Sequence, residues 1–383
     1  MKKTLIALAA ATLASTGAMA AQVEIGGLID GGFAYNNVNR MGQGTTETFT
    51  EDFGNHNGSR FIFKGSEELS AGYTASFYLE NGFSGDTGEL GQGGRLFGRE
   101  ARLSLETPYG TISMGRMGAL TAGMGTYDIF QYYGDSFDGG WNHAVDINNW
   151  LGRDRYDNMI TLVTPNMAGF TGYLQYSFGT NSLDKSDDAT PGERDKNRYA
   201  ALGLSYENGP LRTVLVLDTI MRKQWDDGKP FNENLDDAMA VSLGVGYDFD
   251  FMTLYFGAQY GKNETQSFFL SDSTIQKATL EGDKYERGED GTGDGYTLGL
   301  GAAFPLPCGT LRAAVYYGDL EVNDSMGEKY KNFNAILAHE YPFSPKTFSY
   351  IGLAYKQAWA KANGEKFDEE RTFSALVGLV HRF

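Results

Sequence analysis

The sequence predicts an all-β protein, a sixteen-stranded antiparallel β-barrel that crosses a membrane, and three observations lead to this prediction. The chain begins with a segment that is typical of an export signal. Apolar and polar residues alternate with period two in many short segments, as in strands with two different faces. Short and long polar spacers separate these segments in strict alternation, which is typical of membrane barrels with short periplasmic turns and long external loops.

The first twenty residues have the three parts of a secretory signal. Lys2 and Lys3 supply a basic start, residues 5–13 are an apolar run, and Ala18 and Ala20 form a small-x-small cleavage site. We therefore predict that residues 1–20 are a cleaved signal peptide. Residues 21–383 then form a single barrel domain in the envelope of a bacterium.

Composition narrows the class of protein. The chain has 51 Gly, 23 Tyr and 25 Phe but only 9 Pro, which favours many short strands with aromatic residues. No segment after the signal has 18 consecutive apolar residues, so no membrane-spanning helix is predicted. The net charge of −17 argues against nucleic acid as a partner, because phosphates need Lys and Arg to neutralise them.

Counting the alternating segments in order gives sixteen strands, an even number that places both termini on the periplasmic side. The short spacers contain Pro, Gly, Asn or Asp, the residues that form tight turns. The strands are expected to start near residues 23, 59, 73, 96, 111, 153, 170, 198, 211, 238, 252, 294, 310, 331, 348 and 371. The long spacers are 37–58, 81–95, 118–152, 179–197, 222–237, 262–293, 319–330 and 361–370.

Several strands separate cleanly into an apolar and a small or polar face. In 241–249 the odd-numbered residues are apolar and the even-numbered ones are Ser, Gly or Asp. The same pattern occurs in 252–261, in 296–304 and in the final segment 373–383, which ends on Phe383. We expect the apolar set to face lipid and the other set to face the lumen, with aromatic residues at the membrane interfaces.

Six stretches in order along the mature chain make it resemble the general porins of Gram-negative outer membranes. They are residues 59–69, 79–83, 97–101, 109–116, 164–170 and 378–383. The resemblance implies an integral outer-membrane homotrimer that passes ions and small hydrophilic solutes by diffusion, with its third loop folded into the lumen. It also implies contact with lipopolysaccharide, delivery by periplasmic chaperones and the barrel-assembly machinery, and a role for Phe383 as a C-terminal assembly signal.

Basic residues on the lumen side are the first candidates for the narrowest part of the pore, where charges act most strongly on ions. Strict alternation turns Arg102 inward and Arg99 towards lipid, whereas the resemblance points to Arg99, which a bulge would turn inward. Both are therefore kept as candidates. The complete set of basic candidates is Arg60, Lys64, Arg99, Arg102, Arg153 and Arg155.

Acidic residues of the third loop are the opposing candidates, and they are Asp128, Asp135, Asp138 and Asp146. The loop lacks the Pro-Glu-Phe-Gly-Gly pattern of some enteric porins. A basic wall opposite an acidic loop would create a transverse field that orients dipolar solutes. The acidic net charge favours cations and the inward arginines favour anions, so the sign of the selectivity stays open.

Other readings of the same chain remain as alternatives. A substrate-specific channel for a sugar, an amino acid or an organic anion is the first, and a barrel with an adhesive role is the second. An enzyme is not predicted, because there is no Gly-x-Ser-x-Gly motif and no recognisable Ser/His/acid set. No cofactor is predicted either, although the acidic segment 283–295 has carboxylates of the kind that bind Ca²⁺. Glu89 in the second loop is a candidate contact to a neighbouring subunit.

Overall fold

The computed structural model describes residues 22–70, 72–138, 141, 150–151, 153–181, 197–222, 225–226, 229–230, 236–265, 292–323 and 327–383. The expected signal peptide, Asp146 and residues 283–291 of the acidic segment lie outside the described residues.

Sixteen strands form the wall of the barrel in the described part of the chain. Three further strands and two one-turn helical segments are described besides these sixteen. The wall consists of β1 (Gln22–Arg40), β3 (Arg60–Ser70), β4 (Tyr73–Gly82), β5 (Glu100–Thr107), β6 (Gly110–Gly118), β7 (Arg155–Val163), β8 (Phe170–Ser177), β9 (Arg198–Asn208), β10 (Leu211–Met221), β13 (Ala238–Asp248), β14 (Thr253–Thr265), β15 (Thr292–Leu306), β16 (Gly309–Val322), β17 (Lys329–Ser344), β18 (Thr347–Ala362) and β19 (Glu365–Arg382). The remaining elements are β2 (Gly44–Phe53), β11 (Trp225–Asp226), β12 (Lys229–Pro230), α1 (Gly91–Gly94) and α2 (Phe130–Gly134). Neither helix is long and apolar enough to cross a membrane.

The wall closes on itself, which confirms the predicted fold class. Each strand of the wall pairs antiparallel with its neighbour, and β1 pairs with β19 through a register in which Leu28 is opposite Arg382. The backbone N–H of Phe383 donates to the carbonyl of Gly27 at 3.1 Å. No edge of the wall between β1 and β19 is therefore left open to solvent or lipid.

The predicted alternation of faces is also confirmed. In β13 the Leu243 side chain is 39% exposed, whereas the neighbouring Ser242 is fully buried. In the last strand Val377 and Leu379 are exposed, whereas Leu376 and Val380 are buried against residues inside the barrel. The exposed apolar residues form the outer surface of the wall, the face that meets lipid in membrane barrels.

Three of the predicted external loops are largely strand. Residues 44–53 form β2, which pairs with the upper part of β1, and only a short turn joins the two strands. Likewise β18 and β19 meet at a turn at Asn363 and Gly364, and β16 and β17 extend to Val322 and from Lys329. Beyond the membrane both faces of a strand meet water, so polar residues occur at every position and the period-two signal disappears.

The strand position next to β1 in the wall is shared by two separate strands. The lower part of β1 pairs with β3 and its upper part pairs with β2, so β2 and β3 lie one above the other beside the same strand. Residues 54–59, which join them, leave the wall and lie inside the barrel; Asn55 and Ser59 are almost fully buried, and Asn57 and Gly58 are partly exposed. We call residues 54–59 the inner hook.

Candidate functional site

The connection between β6 and β7, residues 119–154 (loop 3), lies inside the barrel wherever it is described. Its helix α2 packs against β10, β13 and β14, and Gly134 lies against the backbone of Gly244. Trp150 covers Gly257 and Gly299, where an added Cβ would lie 2.5 Å from the indole ring. The glycines on the lumen face of β13 to β15 are thus the positions against which loop 3 packs.

Asp135 is an anchor of loop 3 rather than a pore-lining group. Its carboxylate accepts hydrogen bonds from Trp150 Nε1 at 2.7 Å, from the Tyr316 hydroxyl at 2.6 Å and from the Phe137 N–H at 2.9 Å. Burial raises the pKa of Asp135, and these three donors act in the opposite direction. Asp135 therefore ties two parts of loop 3 to the opposite wall at Tyr316.

Arg153 has a comparable structural position at the end of loop 3. Its guanidinium is fully buried and donates to Asp218 at 2.6 Å and to both oxygens of Glu264 at 2.8 Å. Asp218 and Glu264 belong to β10 and β14, so this ion pair network attaches the returning chain to the far wall. Arg153 points into a closed cluster and not into a cavity.

A cavity of about 410 Å³ separates loop 3 from the wall formed by β3 and β5, and we call it the central cavity. Arg60 and Arg99 line one side of it, and Asp128 and Asp138 line the other. Tyr132, Tyr133 and Tyr173 also line it, together with residues 123–126 and Ile129 of loop 3. Two basic and two acidic residues predicted from the sequence are therefore brought together here.

One carboxylate serves both arginines of the central cavity. Glu80 Oε1 accepts a hydrogen bond from Arg60 at 3.2 Å and one from Arg99 at 2.5 Å. Arg60 also donates to Asn57 Oδ1 and to the Gly58 carbonyl, each at 2.8 Å. The Glu80 side chain is only 7% exposed, so its charge is held between the two guanidinium groups.

Arg99 and Arg102 both turn inward, although they are an odd number of residues apart. The reason is that β5 begins at Glu100, so Arg99 precedes the strand and is not bound by its alternation. Arg102 donates to Glu100 at 2.5 Å and lies over the rings of Tyr78 and Tyr127. Its charge is therefore paired and covered by aromatic rings.

A second cavity of about 460 Å³, the outer cavity, contains Arg155 together with Arg95 and Arg116. Arg95 and Arg116 both donate to Asp157, which is buried. Arg155 is 8% exposed, and its Nε has no acceptor among the residues that the structure describes. The charges of Arg99, Asp154, Glu80 and Arg60 also act on Arg155. We call Arg60, Arg99 and Arg155 the arginine cluster.

Lys64 differs from the other basic candidates. Its side chain is 51% exposed and its ammonium group pairs with Glu24 at 2.8 Å on the neighbouring strand. It lies near the periplasmic ends of β1 and β3, away from both cavities.

The two aspartates of the central cavity interact with each other. Burial raises the pKa of Asp128 well above its usual range, and the negative charge of Asp138 raises it further. Burial and the charge of Asp135 raise the pKa of Asp138 to about 6. Burial and the neighbouring negative charge therefore act against simultaneous ionisation of the two carboxyls.

A third cavity of about 390 Å³, the inner cavity, lies between the inner hook and the periplasmic ends of β16 to β19. Asp138 lines both this cavity and the central one, so the two adjoin at loop 3. His56 Nε2 lies 2.9 Å from Glu340 Oε1, and Arg312 donates to the same oxygen at 3.3 Å.

Glu80, Glu340 and the inner hook were not among the candidates from the sequence. Glu80 was accessible to the same reasoning, because Leu79 faces lipid and the next residue must face the lumen. The hook gave no such signal, because its residues are polar and have no period.

Evidence for a metal site is absent from the described residues, which contain no group of three or more His, Cys, Asp or Glu side chains in a suitable arrangement. Asp294, the described acidic residue of the segment 283–295, accepts hydrogen bonds from the Asn263 N–H at 2.9 Å and from Asn323 Nδ2 at 3.3 Å.

Comparison with known protein sequences gives a consistent result. A family model described as Gram-negative porin matches residues 7–358. An outer membrane porin protein of Bordetella pertussis is 32% identical over 420 residues that cover the whole of both chains. Outer membrane porin protein 32 of Delftia acidovorans is 34% identical over 226 residues, which cover 57% of this chain and 59% of that relative.

Solved structures share the fold. An anion-selective porin from Comamonas acidovorans superimposes with a TM-score of 0.66 at 23% identity, over 95% of this chain and all of that chain. The trimer form of OmpT, an outer membrane protein of Vibrio cholerae, has a TM-score of 0.59 at 14% identity, over 95% of this chain and 99% of that chain.

Proposed function

Since this chain belongs to the Gram-negative porin family and forms a channel through the outer membrane, we propose that solutes pass between the arginine cluster and loop 3 and that the pore prefers small anions. The path runs from the outer cavity through the central cavity to the inner cavity. Asp138 lines the last two, so a solute that leaves the central cavity past loop 3 enters the inner one.

The observation that supports an anion preference is the local charge balance. Arg60 and Arg99 share one oxygen of Glu80, and the Nε of Arg155 is buried without an acceptor among the described residues. Opposite them, burial raises the pKa values of Asp128 and Asp138 and so acts against their negative charge. The three guanidinium groups of Arg60, Arg99 and Arg155 thus outnumber the Glu80 carboxylate beside them, and the low-dielectric walls of the lumen strengthen their effect on an ion. The overall charge of −17 acts at longer range and is more strongly screened by salt.

The reversal potential of single channels in a KCl gradient tests this proposal. We expect the wild-type pore to favour chloride, and we expect Arg60→Ala, Arg99→Ala and Arg155→Ala each to reduce the chloride-to-potassium permeability ratio. One unit charge about 10 Å from an ion, at an effective dielectric constant of about 30, changes the ion's energy by about 1 kcal/mol. This energy corresponds to a change of about fivefold in the permeability of each ion, in opposite directions for chloride and potassium, and so to a change of about 30-fold in their ratio.

Lys64→Ala is the matched control, because Lys64 is exposed and lies away from the cavities. A wild-type pore that prefers potassium, or arginine variants that leave the ratio unchanged, would contradict the proposal. Block of the chloride current by one organic anion at low concentration would instead favour a substrate-specific channel.

We also infer three properties from the family relationship. The chain forms a homotrimer. The part of the wall formed by β5 to β8, whose strands have only 8 or 9 residues, faces the neighbouring subunits. The exposed Glu89 contacts a neighbouring subunit as well. Phe383 directs the chain, cleaved after residue 20, from periplasmic chaperones to the barrel-assembly machinery. The external surface contacts lipopolysaccharide.

A further inference from the structure

The inner hook, residues 54–59, is a second segment that enters the lumen, independent of loop 3. It interrupts the column of the wall formed by β2 and β3 and places six residues inside the barrel. Such an excursion costs backbone hydrogen bonds of the wall, so it needs compensating contacts.

One buried carboxylate supplies most of these contacts. Asp30 Oδ2 accepts the N–H groups of His56 and Asn57, each at 2.7 Å, and Asp30 Oδ1 accepts the Tyr350 hydroxyl at 2.8 Å. The backbone of Asp30 accepts the N–H of Gly54 and donates to the Ser59 hydroxyl at 3.1 Å. Because Asp30 is fully buried on β1, it holds the hook in one conformation.

The hook in turn contacts both arginines of the central cavity. Asn57 Oδ1 and the Gly58 carbonyl accept two hydrogen bonds from Arg60. Gly58 lies beside the Arg99 side chain, and a Cβ added at position 58 would be 2.9 Å from Arg99 Nη1. Two acceptors on the hook and one on Glu80 leave the Arg60 guanidinium with a single well-defined orientation.

The hook also contacts loop 3 from the other side. The Trp141 N–H donates to the His56 carbonyl at 2.6 Å, and the His56 ring packs 4.8 Å from the Trp141 ring. The same ring packs against Phe348 and Tyr350 of the wall. Loop 3 and the arginines are therefore both positioned against one rigid segment.

We propose that the inner hook is a second constricting element and that Asn57 and Gly58 are positioning residues that determine selectivity and pore width through Arg60 and Arg99. This inference rests on the proposed role of the arginine cluster. Without the Asn57 acceptor, the Arg60 guanidinium moves towards Glu80, and more of its charge is neutralised. With a methyl group at position 58, the Arg99 guanidinium is displaced from the hook into the lumen.

Two substitutions separate these effects in single-channel recordings of folded, heat-modifiable protein. Asn57→Ala is expected to shift the reversal potential in the same direction as Arg60→Ala, by a smaller amount, although Arg60 is still present. Gly58→Ala is expected to lower the single-channel conductance. A substitution that affected folding alone would reduce the yield of channels but would not move the reversal potential of those that form.

Matched controls are available on the same chain. Asn37→Ala removes an exposed amide of the external hairpin, which bonds only to Glu47 in the contacts described, and Gly172→Ala adds a methyl group 3.3 Å from a Thr164 methyl. Both are expected to behave as wild type. If Arg60→Ala and Arg99→Ala change the currents but Asn57→Ala and Gly58→Ala do not, the hook proposal is wrong and the arginine proposal stands. If Arg60→Ala and Arg99→Ala themselves leave the currents unchanged, the proposed role of the arginine cluster is wrong, and the hook proposal, which rests on it, is wrong as well.

Discussion

At the scale of single residues, charged side chains in this lumen fall into two groups. Arg153 and Asp135 are fully satisfied by buried partners and hold loop 3 in place. Arg60, Arg99 and Asp138 keep part of their surface on a cavity and can act on a passing ion. Type of residue and position in the chain do not distinguish the groups, since Asp135 and Asp138 are only three residues apart.

The aspartate pair predicts a pH dependence of selectivity. Below the pKa of Asp138, which burial and the charge of Asp135 raise to about 6, this carboxyl becomes neutral. Protonation of Asp138 removes one negative charge from loop 3. We expect the chloride-to-potassium permeability ratio to rise as the pH falls from 7.5 to 5.

Substitution assigns this pH step to the pair. Asp138→Asn is expected to have the higher ratio already at pH 7.5 and to show no step near pH 6. His56→Gln, which removes the imidazole on the adjoining inner cavity, is expected to keep the step, as is Asp86→Asn in the exposed second loop. A step that survives in Asp138→Asn would show that another group titrates.

At the scale of elements, loop 3 is a lining fixed at several points and not a free flap. Trp150 rests on the glycines of β14 and β15, and Asp135 joins Trp150 to Tyr316 of β16. The buried Arg153 network then fixes the return to β7. Because these anchors lie on strands far from β6 and β7, the described parts of the loop extend across the lumen.

Loss of the Asp135 anchor is expected to loosen the loop. In Asp135→Asn the amide cannot accept from Trp150, Tyr316 and Phe137 as the carboxylate does, and a lost bond to a buried donor costs about 1–3 kcal/mol. We expect the free energy of unfolding in urea to fall by this amount and closures to occur at lower voltage.

The control is Asp250→Asn in an exposed turn, where Asn tolerates the left-handed backbone (φ 67°). Equal stability of Asp135→Asn and the wild type would mean that the packing of Trp150 alone holds the loop.

At the scale of the whole molecule, barrel closure depends on a close approach of the first and last strands. Gly27 faces the Arg60 carbonyl, and an added Cβ would lie 2.4 Å from that oxygen and 2.6 Å from the Phe383 ring. Gly27 is therefore small because three strands converge on it, and not because a turn requires it.

Gly27→Ala is expected to impair closure of the barrel. The clash involves backbone atoms, which cannot move without breaking the β1–β3 pairing, so we expect a marked loss of heat-modifiable folded protein in gel electrophoresis. Gly172→Ala, which meets only a side-chain methyl at 3.3 Å, is expected to fold as wild type. Normal yields of Gly27→Ala would show that β1 and β3 can separate locally.

Much of this architecture follows from local sequence pattern, and the parts that do not follow have a common physical cause. The sixteen wall strands and their facing are predictable because lipid on one side enforces period two. Strand β2 and the ends of β18 and β19 are not predicted by the alternation, because water surrounds both their faces. Which aspartate meets the pore depends on contacts between residues more than 150 positions apart, such as Asp135 and Tyr316, and no local pattern records them.

The interruption between β2 and β3 separates the exposed hairpin of β1 and β2 from the residues that line the pore. Strand β2 of the hairpin is mostly exposed, whereas the hook is held by Asp30, which lies on β1 below the part that pairs with β2, and by Tyr350 of β18. Substitutions in the upper part of the hairpin therefore need not be transmitted to the arginines. The exposed hairpin is free to diverge in sequence while the permeability of the pore is preserved.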